Sequence, residues 1–281
     1  MLVLVFAMLM SVNCKAQIPW AKLIEIAGSI ISAGSALASN LNSTHTKELN
    51  KGIELCEIND YKRALDFLTL INEDDYDAVR VEAFFYRGIC YMGLEEYGIA
   101  IKLFDKAINF ETTFFTFEKD KIKKFQEEMK LLKAITYAKA LNSQNSDNFI
   151  KGMINTIALH RAMANTDSDA STIYKLLENY GTKAINYFSN VNQNDKTLLR
   201  VMAYCYMGEC RTYQYLYRNI FAIFTSNDNP TKEKFFTGSK EVLLYYEQAT
   251  NITTSQDDKY RDEIIKYQIE AQNKIDYLQK L

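Results

Sequence analysis

The side chains best suited to acid–base or metal chemistry are sparse. Only two histidines, His45 and His160, occur in 281 residues, although proton transfer near neutral pH and zinc ligation both draw first on imidazole. His45 stands in a polar stretch. His160 sits in Ile157-Ala-Leu-His-Arg and reads as a partly buried or surface histidine rather than a catalyst. The chain has no His-Glu-x-x-His, which would set two ligands on one helical face, no Gly-x-Ser-x-Gly elbow and no Gly-Lys-Ser/Thr phosphate loop. Gly28 to Gly34 bears glycine and serine but no phosphate-loop lysine, and it follows no strand pattern. Asp74-Asp75 and Asp257-Asp258 fall in polar turns and read as solvated linkers, and Lys121 to Lys124 is balanced by Glu127-Glu128 as an exposed helical face. These features predict no catalytic centre, no metal and no cofactor.

Cysteine chemistry is the remaining candidate. Cys205 and Cys210 lie within one helical pattern at a spacing that points them apart, and it is neither a zinc-knuckle nor a redox spacing. Cys56 and Cys90 occupy equivalent helices of two successive repeats. Two readings stand for the set: a Cys56–Cys90 neighbour pair, or four buried thiols acting as small apolar residues.

The elements that carry these residues are helices. Val81 to Thr113 holds Gly88-x2-Tyr91-x5-Tyr97-x2-Ala100-x3-Phe104-x2-Ala107, and 36 residues upstream the same spacing reads Gly52-x2-Leu55-x5-Tyr61-x2-Ala64-x3-Leu68-x2-Ile71. Self-similarity at this period signals a helical-repeat array. Gly52 and Gly88 stand where two helices of a hairpin approach too closely for a side chain, with Ala64 and Ala100 opposite on the second helix. Tyr61 and Tyr97 open that second helix. Asn59-Asp60 and Leu94-Glu95-Glu96 form the short turns, their acids near a helix N-terminus.

Downstream, helices are predicted over Phe117–Leu141, Phe149–Ala164, Ser171–Ser189, Thr197–Phe224, Lys232–Ile252 and Asp257–Leu281, with Ser143–Asp147 and Asn227-Asp228-Asn229-Pro230 as breaks. Val242-x3-Tyr246-x2-Ala249 echoes the end of a repeat. The pattern predicts about five helix pairs, the last three degenerate. Two prolines and 10 glycines favour long helices, while 19 Tyr and 16 Phe suit interdigitated helix packing. A hydrophobic share of 48% and a charged share of 24% are ordinary for a globular chain. A net charge of −2 predicts no nucleic-acid partner.

These positions resemble the tetratricopeptide repeat. The second copy matches at each quoted position, with the aromatic Phe84 four before its glycine. The first copy is weaker, with Glu48 in place of that aromatic and Leu55 in place of Tyr. Both lack the usual proline after the second helix. The resemblance implies an all-α, α-α superhelix whose concave groove is lined by the first helix of each pair. Carried over from the glycines, the groove positions are Thr46, Leu49, Asn50, Ile53 and Cys56, then Glu82, Phe85, Tyr86, Ile89 and Met92. Each set falls on one helical face. Leu49 and Ile53 stand where members that clamp a C-terminal carboxylate carry Lys and Asn, so no such clamp is implied. The resemblance implies binding of a protein or peptide segment.

Residues 1–16 read as a secretory signal peptide cleaved after Ala16, with lipidation at Cys14 as the alternative, although the usual positive n-region is missing. Either reading predicts export to the periplasm, the outer membrane or the medium, and the Asn-, Lys-, Ile- and Tyr-rich composition with the Ala16-Gln17 junction resembles envelope proteins of Bacteroidetes-type bacteria. Residues 17–44 form an expected N-terminal helix, Trp20 to Asn40, and a linker. The helix either covers the first end of the array and its groove, or lies on a membrane. The expected organisation is completed by two repeats over 45–113 and a degenerate helical region over 114–281. The expected function is a non-catalytic envelope or secreted scaffold. A surface glycan-binding lipoprotein and a membrane-associating protein are the alternatives.

Overall fold

A computed structural model describes residues 45–111, 116–164, 169–191, 194–226 and 232–280. The expected signal peptide, Cys14, the Trp20–Asn40 helix and the Asn227–Pro230 break lie outside the described residues. Among the described residues there are ten α-helices and no strand: α1 Thr46–Glu57, α2 Tyr61–Leu68, α3 Asp77–Gly93, α4 Tyr97–Ile108, α5 Thr116–Leu141, α6 Ser146–Ala164, α7 Ala170–Ser189, α8 Thr197–Ser226, α9 Lys232–Thr250 and α10 Arg261–Leu278. None of the described helices is long and apolar enough to cross a membrane. The described residues are thus all-α, and within each part of the chain successive helices pack on one another as an α-α superhelix of repeats requires.

The chain divides into two compact units within α5, at Met129/Lys130. In the first, α1 packs on α2, α2 on α3 and α3 on α4, and α1 also touches α3. That alternation of next-neighbour and next-but-one contact is what stacked hairpins produce. The glycines act as the spacing predicts. A Cβ on Gly52 would stand 2.5 Å from Leu68 Cγ, and one on Gly88 would stand 2.6 Å from Phe104 Cε1. Leu68, Phe104, Ala64 and Ala100 are all fully buried. Gly93 makes a further close approach, against the Tyr61 ring.

Both turns close in the same way. Asn59 and Glu95, 36 residues apart, adopt left-handed φ of 63°. Asp60 N–H donates to Leu55 O at 2.9 Å and Glu96 N–H to Tyr91 O at 2.8 Å, the longer bond of a Schellman motif. The unit ends on the first half of α5, where Gln126 Nε2 donates to the Ala107 and Phe110 carbonyls at 3.2 and 3.0 Å, satisfying the open C-terminus of α4.

The second unit repeats the same devices over longer helices. Gly152 of α6 lies against the Phe188 ring of α7, and Gly208 of α8 against the Tyr246 ring of α9, with Cβ approaches of 2.5 and 2.8 Å. Ala184-x3-Phe188 and Val242-x3-Tyr246-x2-Ala249, all buried, take the places of Ala100-x3-Phe104-x2-Ala107. Gln268 of α10 donates to the Ala249 and Ile252 carbonyls at 3.2 and 2.8 Å, as Gln126 does for the earlier hairpin. α10 thereby satisfies the open C-terminus of α9. The second half of α5 also meets α10: Lys133 Nζ lies 2.8 Å from Glu263 Oε1, and the Tyr137 and Tyr260 rings meet edge-on at 4.9 Å.

Helix ends shift where side chains supply a better start or stop. α6 begins at Ser146 rather than Phe149, because Ser146 Oγ donates to Ala138 O and accepts from Ser143 N–H. α10 begins at Arg261 rather than Asp257, because Asp258 closes a turn by accepting from Ser255 N–H at 2.8 Å.

Candidate functional site

The expected groove residues gather on one face of α1 and α3. Leu49, Phe85 and Met92 are fully buried, and Ile89, Tyr86 and Cys56 nearly so. Asn50 is exposed, and Ile53 and Thr46 are half-buried. The Phe85 ring meets Phe104 at 6.2 Å and Tyr86 edge-on at 5.3 Å, tying this face to the hairpin core. Most of the expected groove lining is therefore closed to solvent, and Asn50 and Ile53 are its accessible edge. The sequence alternative in which residues 20–40 cover the face lies outside the described residues.

Glu82 is the anomaly on this face. It is 2% exposed, and neither carboxyl oxygen has a hydrogen-bond partner. The Tyr86 hydroxyl, one turn along the same helix, is also buried without a partner. Burial alone raises the Glu82 carboxyl from 4.5 to about 8, and burial followed by the neighbouring Glu82 charge drives the Tyr86 phenol upward as well. At neutral pH this acid is held mostly protonated, so it offers a hydroxyl donor and a carbonyl acceptor rather than a fixed charge. Sequence spacing could place Glu82 on the face but could not reveal its isolation, which depends on what surrounds it in space.

On the same helices, Cys56 and Cys90 come together with Sγ···Sγ of 2.9 Å, and Cys56 Sγ lies 3.9 Å from the Tyr86 carbonyl. Cys56 and Cys90 are thus neighbours, as the first reading expects, while all four described cysteines are free thiols, three buried and Cys205 half-buried, which is close to the second. Cys205 and Cys210 part as their spacing predicts: Cys205 Sγ faces the Tyr267 carbonyl at 3.7 Å, and Cys210 Sγ faces Thr156 Oγ1 at 3.4 Å.

Elsewhere the polar residues serve packing. Asp75 is a correction to its reading as a solvated linker residue, because it is buried. It accepts from Asn72 N–H at 3.1 Å and from His45 Nδ1 at 2.8 Å, which pins the start of α1 to the turn before α3. His160 is half-buried, 3.1 Å from the Glu209 carboxylate and edge-on to Tyr213. Cys210, next to Glu209 in sequence, is no activated nucleophile, since burial pushes its thiol up to about 12. No group of three or more metal-ligating side chains occurs among the described residues. Searches against protein-family models, curated proteins and solved structures match nothing to this chain.

Proposed function

We propose that the chain is a non-catalytic interaction scaffold of tetratricopeptide type, exported to the cell envelope or secreted, that binds a protein segment through the α1/α3 face. The observation that carries this reading is Glu82 with Tyr86. A helix-packing position of this kind is served at least cost by Leu or Met. A buried acid with both oxygens unpaired costs several kcal/mol, on the order of the penalty for any uncompensated buried polar group. A partner side chain bearing N–H donors, such as lysine or arginine, would supply what both groups lack, and the flanking aromatic rings would supply apolar contact. Because the lining is closed, a partner reaches Glu82 only by displacing the atoms that cover it, starting from the accessible edge at Asn50 and Ile53.

The test is a crosslinking pull-down from cells with the tagged full chain, beside Glu82→Gln and Asn50→Arg variants verified as folded by circular dichroism. Glu82→Gln keeps shape and neutrality, so it should fold. Loss of the same specific partners in both folded variants supports the face. Recovery of every partner with both variants places binding elsewhere and refutes the assignment.

A further inference from the structure

We infer that Cys56 and Cys90 are a redox pair that closes into a disulfide joining the first two helical hairpins. Four observations converge on this pair. The sulfurs stand 2.9 Å apart, against about 2.05 Å for the covalent bond, so closure needs less than an ångström of movement. Cys56 lies in the last turn of α1 and Cys90 in the last turn of α3, on two helices already in contact. Both thiols are buried, so the pair is not exposed to adventitious partners. The other two described cysteines are occupied elsewhere, against Tyr267 and Thr156. The 36-residue repeat is the reason the two meet: Cys56 is four residues after Gly52, Cys90 two after Gly88, and stacking brings the ends of these equivalent helices together.

The chemistry is thiol–disulfide exchange with an external disulfide, either a small one such as oxidised glutathione or a protein one. One cysteine thiolate attacks a sulfur of R–S–S–R, and R–S⁻ leaves with the electron pair. The second thiolate then attacks the mixed disulfide and expels a second R–S⁻. Two electrons pass from the cysteine pair to the external disulfide, and the two protons lost by Cys56 and Cys90 end on two R–SH. Inside the closed fold this is slow, because the thiol hydrogen bond to Cys90 and burial hold the Cys56 thiol well above its usual range. The bond therefore forms before α1 docks on α3, or when α1 opens, and once formed it is shielded from reductant. Its effect is local and defined: it fixes the last turn of α1 against the last turn of α3, beside the Tyr86 carbonyl.

The full chain is refolded in mixed oxidised and reduced glutathione, quenched with iodoacetamide and digested with trypsin without reduction. The expected product is residues 52–62 joined to residues 88–102 through Cys56 and Cys90, two hydrogens lighter than the separate peptides. The linked protein should unfold with an equilibrium constant roughly 500-fold smaller than the reduced protein, as expected from closing a loop across a 34-residue separation. That gain should vanish in Cys90→Ser. Recovery of both cysteines alkylated, or of either joined to Cys14, Cys205 or Cys210, overturns the inference.

Discussion

The buried acid on α3 makes a prediction that can be worked through to a number. In the unfolded chain the Glu82 carboxyl titrates near 4.5, and in the folded chain near 8, because burial penalises the anion. Between these values the folded state holds a proton that the unfolded state has released. Stability is therefore highest below 4.5, falls as pH rises, and levels off above 8. The limiting slope is about 1.36 kcal/mol per pH unit. From pH 5 to pH 8 this linkage removes about 3.5 kcal/mol.

Glu82→Gln, neutral throughout and nearly isosteric, should erase that dependence. Urea unfolding of parent and variant at pH 5, 6, 7 and 8 reads it directly, because the difference between the two cancels every other titrating group. The two proteins should be close in stability at pH 5, and the variant should lead by about 3–4 kcal/mol at pH 8. A difference that stays constant across the series refutes the reasoning, since it would mean that the Glu82 carboxyl meets water in the native fold. A parent that gains on the variant as pH rises would mean the carboxylate is paired with a cation.

Other perturbations test the frame around this face. Gly88→Ala inserts a methyl 2.6 Å from the fully buried Phe104 ring, and overpacking of about 1–3 kcal/mol should exceed the roughly 1 kcal/mol gained in helix propensity. Denaturant unfolding should show net destabilisation, and a variant as stable as the parent would mean that the ring moves aside freely. Glu95→Gly relieves a left-handed non-glycine at an exposed turn and should raise stability by up to about 1 kcal/mol, read as a higher thermal midpoint, with a fall contradicting the turn geometry. Glu263→Gln takes the compensating carboxylate away from the buried Lys133 and should cost about 3 kcal/mol, while Glu263→Leu with Lys133→Met should recover most of it. A single-variant loss below about 1 kcal/mol would show that the pair is not desolvated.

The first two hairpins were legible because their constraints are local and periodic. Gly52 and Gly88 must lack a side chain, Ala64 and Ala100 must be small, and Leu68 and Phe104 must fill the gap, so fixed spacing exposes the fold. The later hairpins use the same glycine-against-ring contact, but Gly152 and Phe188 are 36 residues apart and Gly208 and Tyr246 are 38 apart, where Gly88 and Phe104 are 16 apart. Lengthened helices keep the contact and lose the spacing, which is why only the Val242-Tyr246-Ala249 end was visible beforehand. The Gln126 and Gln268 caps escaped for a related reason: each glutamine serves carbonyls 16 to 19 residues away, and only folding brings them within reach.

Local periodicity along the chain specified the helical class, the close-contact glycines, the turn positions and which residues of α1 and α3 share a face, because each follows from a 3.6-residue period acting over a few turns. Tertiary structure alone decided which of those residues keep contact with water. It closed Phe85, Tyr86, Ile89 and Met92 into the interior and left Asn50 at the edge. It turned Asp75 from a loop acid into a buried clasp on His45, and left Glu82 without a partner. It also set Cys56 and Cys90 at 2.9 Å rather than merely on matching helices. Burial and pairing depend on atoms from several distant segments at once, and no local pattern in the chain encodes that sum.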